Sequence, residues 1–83
     1  MPTIFRHRGY RFFFFSNEGD PREPPHVHVR RGEHEAKFWL RPEVVVDESF
    51  GFNAAELNEL TRIVSDQRLA IERAWNEHFG EGS

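Results

Sequence analysis

The stretch HVHVRRGEHEAKFWL, residues 26–40, constrains the fold more than any other part of the chain. Gly32-Glu33 has the composition of a two-residue hairpin loop, with glycine at the first position as a type II′ turn requires. Taking these two residues as the whole loop pairs Arg31 with His34, Arg30 with Glu35, Val29 with Ala36, His28 with Lys37 and His26 with Trp39. Successive side chains of a strand point to opposite faces. One face therefore carries Val27, Val29, Ala36 and Phe38, and the other His26, His28, Arg30, Glu35, Lys37 and Trp39. A different loop length would scramble this segregation, so the pattern supports the register as well as the hairpin. The expectation is a pair of strands with one face on a core and an ionisable face turned away from it.

Four further elements surround this hairpin in the sequence. Residues 3–7 and 10–16 read as strands joined through the tight-turn pair Arg8-Gly9. Residues 17–25, NEGDPREPP, combine glycine, aspartate and three prolines and form a loop. Arg41-Pro42 breaks the chain, and 43–49, EVVVDES, is β-branched and strand-like. From Asn53 the period becomes helical: Leu57, Leu60, Ile63, Val64, Ile71, Ala74, Trp75 and Phe79 share a face. Asn53 with Glu56 matches a capping box, Phe52 with Leu57 a hydrophobic staple, and Gly80 a stop. One helix over 53–79 would be roughly 39 Å long, against a radius of gyration of about 12 Å for a chain of this size. A break near Ser65-Asp66 is therefore favoured, with an unbroken helix projecting into a dimer as the alternative. The fold class expected is α+β: a single domain over 1–83, with an antiparallel sheet of about five strands followed by two C-terminal helices on one face.

The run RFFFFS, residues 11–16, then raises a question of cover. Tyr10, Phe12 and Phe14 share a parity that holds no charge and belong under the helices. Phe13 and Phe15 share the parity of Arg11 and fall on the face of His26, His28 and Trp39. The expectation is exposed aromatic surface that meets a partner, with Phe13→Ser weakening association more than folding.

Composition narrows the classes of function. The 83 residues include nine Phe, two Trp and no Cys, which excludes disulfides and thiolate chemistry and suits a reducing cytoplasm. No apolar run is long enough for a membrane span, and no secretory signal is expected. The formal net charge of −3 hides a basic first half, to Arg41, and an acidic second half. Ten of the eleven cations are arginine, the side chain suited to bidentate contact with carboxylate or phosphate. Ser16, Ser49, Ser65 and Ser83 lie in no nucleophile motif, and no glycine-rich phosphate loop is present.

The ionisable hairpin face supports several readings. His26-x-His28 places two imidazoles about 7 Å apart at Cα, workable for a divalent metal, with Glu35, Glu23 or Asp20 as a third ligand. Lys37 and Arg30 oppose that reading, since cations repel the ion. His26, His28, Arg30 and Lys37 could instead hold an anion. Metal-independent RNA cleavage would use His26 and His28 with Glu35 and Lys37 as base, acid and phosphate holder. The plainest alternative is two half-exposed histidines on a polar face. Trp39 could stack a base or anchor a partner. His7, His34 and His78 read as structural or solvated. No cofactor is expected beyond a divalent metal at His26 and His28.

MPTI at the start, PPHVHV at 24–29 and GEHEA at 32–36 resemble a family of small prokaryotic proteins, domain of unknown function 4160. The matching positions are Pro24, Pro25, His26, His28, Gly32, Glu33, Glu35 and Ala36, with Trp75 in the last helix. The resemblance implies an operon-paired protein, encoded in many cases beside domain of unknown function 2442, and a toxin–antitoxin context; it implies no activity. The longer proline-bearing loop and the phenylalanine run depart from the pattern. The reading is a cytoplasmic interaction module that binds a neighbour-encoded protein, a second copy of itself or nucleic acid through His26, His28, Arg30, Glu35, Lys37, Trp39, Phe13 and Phe15. A ribonuclease-like toxin and a metal-binding protein are the alternatives.

Overall fold

The computed structural model of the protein describes residues 3–15 and 23–80. Strands β1 (Thr3–His7), β2 (Tyr10–Phe13), β3 (His26–Arg31), β4 (His34–Trp39) and β5 (Val45–Phe50) lie in chain order in one sheet, each antiparallel to the next. Helices α1 (Ala54–Asp66) and α2 (Arg68–Phe79) follow, giving the expected α+β arrangement. The strand bounds shift where sequence signals are weakest: β2 ends at Phe13 rather than at Ser16, which lies outside the described residues, and β5 runs 45–50 rather than 43–49.

Turn chemistry sets the register. Arg8 and Gly9 both have positive φ, 53° and 84°, as a type I′ turn demands. In the second turn only Gly32 is positive, at 62°, the type II′ pattern. All six β3–β4 pairs, from Arg31 with His34 to His26 with Trp39, are those that the two-residue loop dictates.

The first face of the sheet holds Tyr10, Phe12, Val27, Val29, Ala36 and Phe38, joined by Phe14 and Leu40 just beyond the strands. It packs on Leu60, Val64, Ile71 and Trp75 of the helices. Phe5 stacks on Phe12 at 4.4 Å, and Phe14 meets the Trp75 ring edge-on at 5.2 Å. Rings in such arrangements add to the area they bury, which lets a small chain build a core.

Both capping-box bonds form: Glu56 N–H to Asn53 Oδ1 at 2.8 Å, and Asn53 N–H to Glu56 Oε1 at 2.9 Å. Phe52 and Leu57 join the same apolar cluster, and Gly80 ends α2 in the left-handed region at φ 73°. The helical stretch breaks at Gln67, so two helices are present as favoured. The break is not made by Ser65 or Asp66: the residue before α2 is Gln67, whose side chain makes no capping bond. The radius of gyration is 12.1 Å. Gly51 has φ 92°, and a Cβ there would lie 2.3 Å from His34 Cδ2, so the link from β5 to α1 requires glycine for both conformation and space.

Candidate functional site on the second face

Cross-strand pairing arranges the other face in rows, since directly paired residues share a face. One row runs Arg6, Arg11, Arg30, Glu35 and Phe50; the next Phe13, His28, Lys37 and Glu48; the third His26, Trp39 and Val45. The hairpin residues expected on the ionisable face are therefore brought together there, joined by Phe13.

Their exposure differs from the expectation. Phe13 is fully buried, not exposed aromatic surface. The Arg11 guanidinium lies 4.5 Å above its ring and that of Arg30 at 5.7 Å, while His28 stacks at 5.5 Å and Phe15 stands edge-on at 5.3 Å. Phe15 is half-buried and meets His28 at 4.5 Å. His26 and His28 are buried rather than half-exposed. The His26 ring sits among Trp75 at 4.9 Å, Trp39 at 5.2 Å and His28 at 5.3 Å. Its Nδ1 is 3.0 Å from the Pro24 carbonyl oxygen. A carbonyl only accepts, so Nδ1 carries the proton there. The physical reason for the correction is that flat rings and guanidinium planes stack on one another and shed water over Phe13 and His28, while Trp75 of α2 helps to cover His26.

The charged members are engaged with each other. Arg30 donates to Glu35 through Nη2 at 2.6 Å and Nε at 3.2 Å. Lys37 Nζ lies 4.4 Å from the Trp39 ring centre, 3.6 Å from a Glu23 oxygen and 3.7 Å from an Asp47 oxygen. Between these groups lies an open depression of about 510 Å³, with Phe15, His28, Glu35, Lys37, Glu48 and Phe50 in its lining. Phe50 is 71% exposed at its rim.

This geometry bears on each chemical reading. With His26 sealed among aromatic rings, acid–base chemistry at the depression would fall to His28, Glu35 and Lys37. For metal, Glu35 is clasped by Arg30, Glu23 faces Lys37, and Asp20 lies outside the described residues. Among the described residues no group of three or more His, Cys, Asp or Glu could hold an ion. The perturbed carboxyl lies elsewhere: Glu56 is held below the usual carboxylate range, chiefly by the Asn53 N–H and then by Arg31, with burial opposing. Arg41 is pushed up by its two bonds to the buried Glu72, at 2.8 and 3.1 Å.

Sequence reasoning missed Arg6, Glu48 and Phe50 as members of this face, while parity placed Arg11 on it with Phe13 and Phe15. Half the signal was present, since a two-residue loop at Arg8-Gly9 places Arg6 opposite Arg11. The register of β2 on β3 crosses the long loop 17–25, and no local pattern fixes it.

The family described as domain of unknown function (DUF4160) matches residues 9–76. The chain belongs to the DUF4160 family. No curated protein and no solved structure matches it. The DUF4160 match runs from Gly9 in the first turn to Asn76, one residue past Trp75. It takes in the three rows except Arg6, and with them His26, His28, Glu35 and Lys37. DUF4160 membership assigns no chemistry to this face. Among the described residues no helix is long and apolar enough to cross a membrane.

Proposed function

We propose that this DUF4160 protein is an interaction module that docks a partner protein on the second face of its sheet. The observation that carries the reading is Phe50, 71% exposed at the rim of the depression that Phe15, His28 and Lys37 line. An exposed aromatic ring beside a concave floor, ringed by Glu33, Glu35 and Glu48, has the anatomy of a recognition site: an apolar anchor within a charged rim. The buried layer of Phe13, His28 and His26 beneath, with the half-buried Trp39 beside it, gives that floor rigidity, which lowers the ordering cost of binding. The ionisable face acts here as a mount for Phe15 and Phe50 rather than as a reaction centre.

The partner class that fits is a small protein encoded beside this one, in a toxin–antitoxin-like or other operon-paired system, within a reducing cytoplasm that suits a chain without cysteine. The test is co-expression of the chain with its neighbouring gene product, followed by co-purification and light scattering. Phe50→Ser is expected to weaken the complex at least tenfold and to leave the melting temperature of the free chain unchanged. A wild-type chain that stays alone beside its neighbour, or a Phe50→Ser chain that binds as tightly, overturns the reading.

A further inference from the structure

The two edges of the sheet differ. β1 turns Ile4 and Phe5 onto the apolar cluster, whereas β5 is exposed at all six positions. Among the described residues the large apolar side chains left exposed are Val45, Val46, Phe50 and Leu69, and three of these four lie on β5. One side of the β5 backbone is bonded to β4. The outer side of an edge strand carries a row of N–H and C=O groups that a further strand can take up. The pairing with β4 also steps by one residue, with Glu48 opposite Lys37 and Val46 opposite Phe38, which leaves Asp47 between them. A bulge of this kind re-aims a side chain, and Asp47 Oδ2 lies 3.7 Å from Lys37 Nζ. Two successive carboxylates thus gather at one lysine, which Glu23 also approaches to 3.6 Å. Among the described residues these three acids share that one cation, so the middle of the edge keeps a negative excess between Val45-Val46 and Phe50.

We propose that β5 takes a sixth strand from the docked partner protein: an extended segment with two cations, lysine or arginine, at its centre and apolar residues on either side. The cations meet Asp47 and Glu48, and the apolar residues meet Val45, Val46 and Phe50. In strand addition the main-chain bonds supply affinity and the side chains supply the choice of partner. Charge complementarity at the centre of the edge makes that choice, favouring a cationic strand and rejecting an acidic one. Glu48 and Phe50 belong both to β5 and to the lining of the depression, so an added strand extends the docking surface without a gap. The inference rests on the docking reading for the identity of the partner, and adds to it the mode of attachment and the chemistry of the segment attached.

The test uses the chain itself as the probe. In the double variant Asp47→Lys/Glu48→Lys, β5 becomes a strand of the proposed kind, so wild type and variant supply the edge and its complement. Each alone is expected to be monomeric by light scattering at low ionic strength, because like charges oppose one another when identical strands pair. The equimolar mixture is expected to give a dimer, with amide hydrogen exchange within residues 45–50 slowed at least tenfold relative to either chain alone. A mixture that stays monomeric, a dimer whose β5 amides exchange as in the monomer, or a wild-type chain that pairs with itself along β5 overturns the proposal. Should the variant not fold, the wild-type chain is titrated with a blocked peptide of residues 44–51 carrying the same two substitutions. This peptide is expected to bind at least tenfold more tightly than the peptide of natural sequence, and equal binding overturns the proposal. No neighbouring gene product enters the test, so the mixture can fail while co-purification succeeds; that result removes the sixth strand and leaves the docking reading in place.

Discussion

Phe12 and Phe13 are adjacent in the chain and both fully buried, yet they are covered in opposite ways. Phe12 lies in the apolar cluster that the helices complete, stacked on Phe5 and sharing its surroundings with Leu60 and Val64. Phe13 lies outside that cluster, roofed by two guanidinium groups and an imidazole from its own sheet and by the ring of Phe15 just beyond β2. Phe12 is dried by elements from elsewhere in the chain; Phe13 is dried by side chains of its own face, although His26 on that face also borrows Trp75 of α2. A sheet with helices on one side can thus bury aromatic rings on both sides, provided that flat cations lie over the second set. Such a roof leaves its upper surface polar and accessible, which suits a face that has to be met by something else.

The largest effect tests whether the two burials are equivalent. Phe12→Ala and Phe13→Ala are each expected to cost about 3–5 kcal/mol, a large share of the roughly 4–12 kcal/mol available to a domain of this length. Urea denaturation of both variants measures this. A loss under about 1 kcal/mol for Phe13→Ala would break the comparison and return that residue to the surface. The expectation that Phe13→Ser acts mainly on association is thereby replaced: folding is its first target, and Phe50 and Phe15 remain as the surface rings.

A smaller effect separates the faces by loosening only one. Asn53→Ala removes one bond of the capping box that starts α1 and is expected to cost about 1 kcal/mol. Hydrogen exchange should quicken at Ala55, Glu56 and Leu57 while the side-chain signals of Phe15 and His28 hold their positions. Movement at both sets would show the two layers to be one cooperative unit.

The smallest effect is acid sensitivity, and it belongs to the same helix start. The Glu56 carboxyl is depressed in the folded state, first by the Asn53 N–H and then by Arg31. A depressed carboxyl stabilises fully above the unfolded carboxylate range, and that contribution fades as pH falls through the folded value. Glu56→Gln should therefore lower the melting temperature at neutral pH and flatten its decline on acidification. An acid limb as steep as wild type would assign the sensitivity to another carboxylate.

How much of this was legible beforehand follows from where each piece of information resides. The β3–β4 register was legible because Gly32-Glu33 fixes the loop and Val27, Val29, Ala36 and Phe38 fix the parity, both within fifteen residues. The capping box and Gly80 were legible for the same reason. Parity also put Phe13, Phe15, His26 and His28 on the correct face. It could not say what lies above them, because the cover of His26 comes in part from Trp75, some fifty residues on, and that of Phe13 from Arg30 across a strand pair set by an unpatterned loop. The helix break was legible as a matter of length and illegible as a matter of position, since Gln67 carries no capping signal. The rows were half legible, with Arg6 and Arg11 derivable from the first turn and Arg30 not.

Strand β5 is exposed at all six positions and forms one edge of the sheet, with Val45, Val46 and Phe50 uncovered. Two copies laid antiparallel along the whole of this strand would set Asp47 against the other copy's Glu48, and shifting by one residue would set Asp47 against Asp47 or Glu48 against Glu48. Each arrangement opposes like charges at its centre. The edge is thereby biased against its own kind: it tolerates crowding with identical chains while remaining open to a strand of different sequence, so the acidic pair serves as a password as much as a solubilising group.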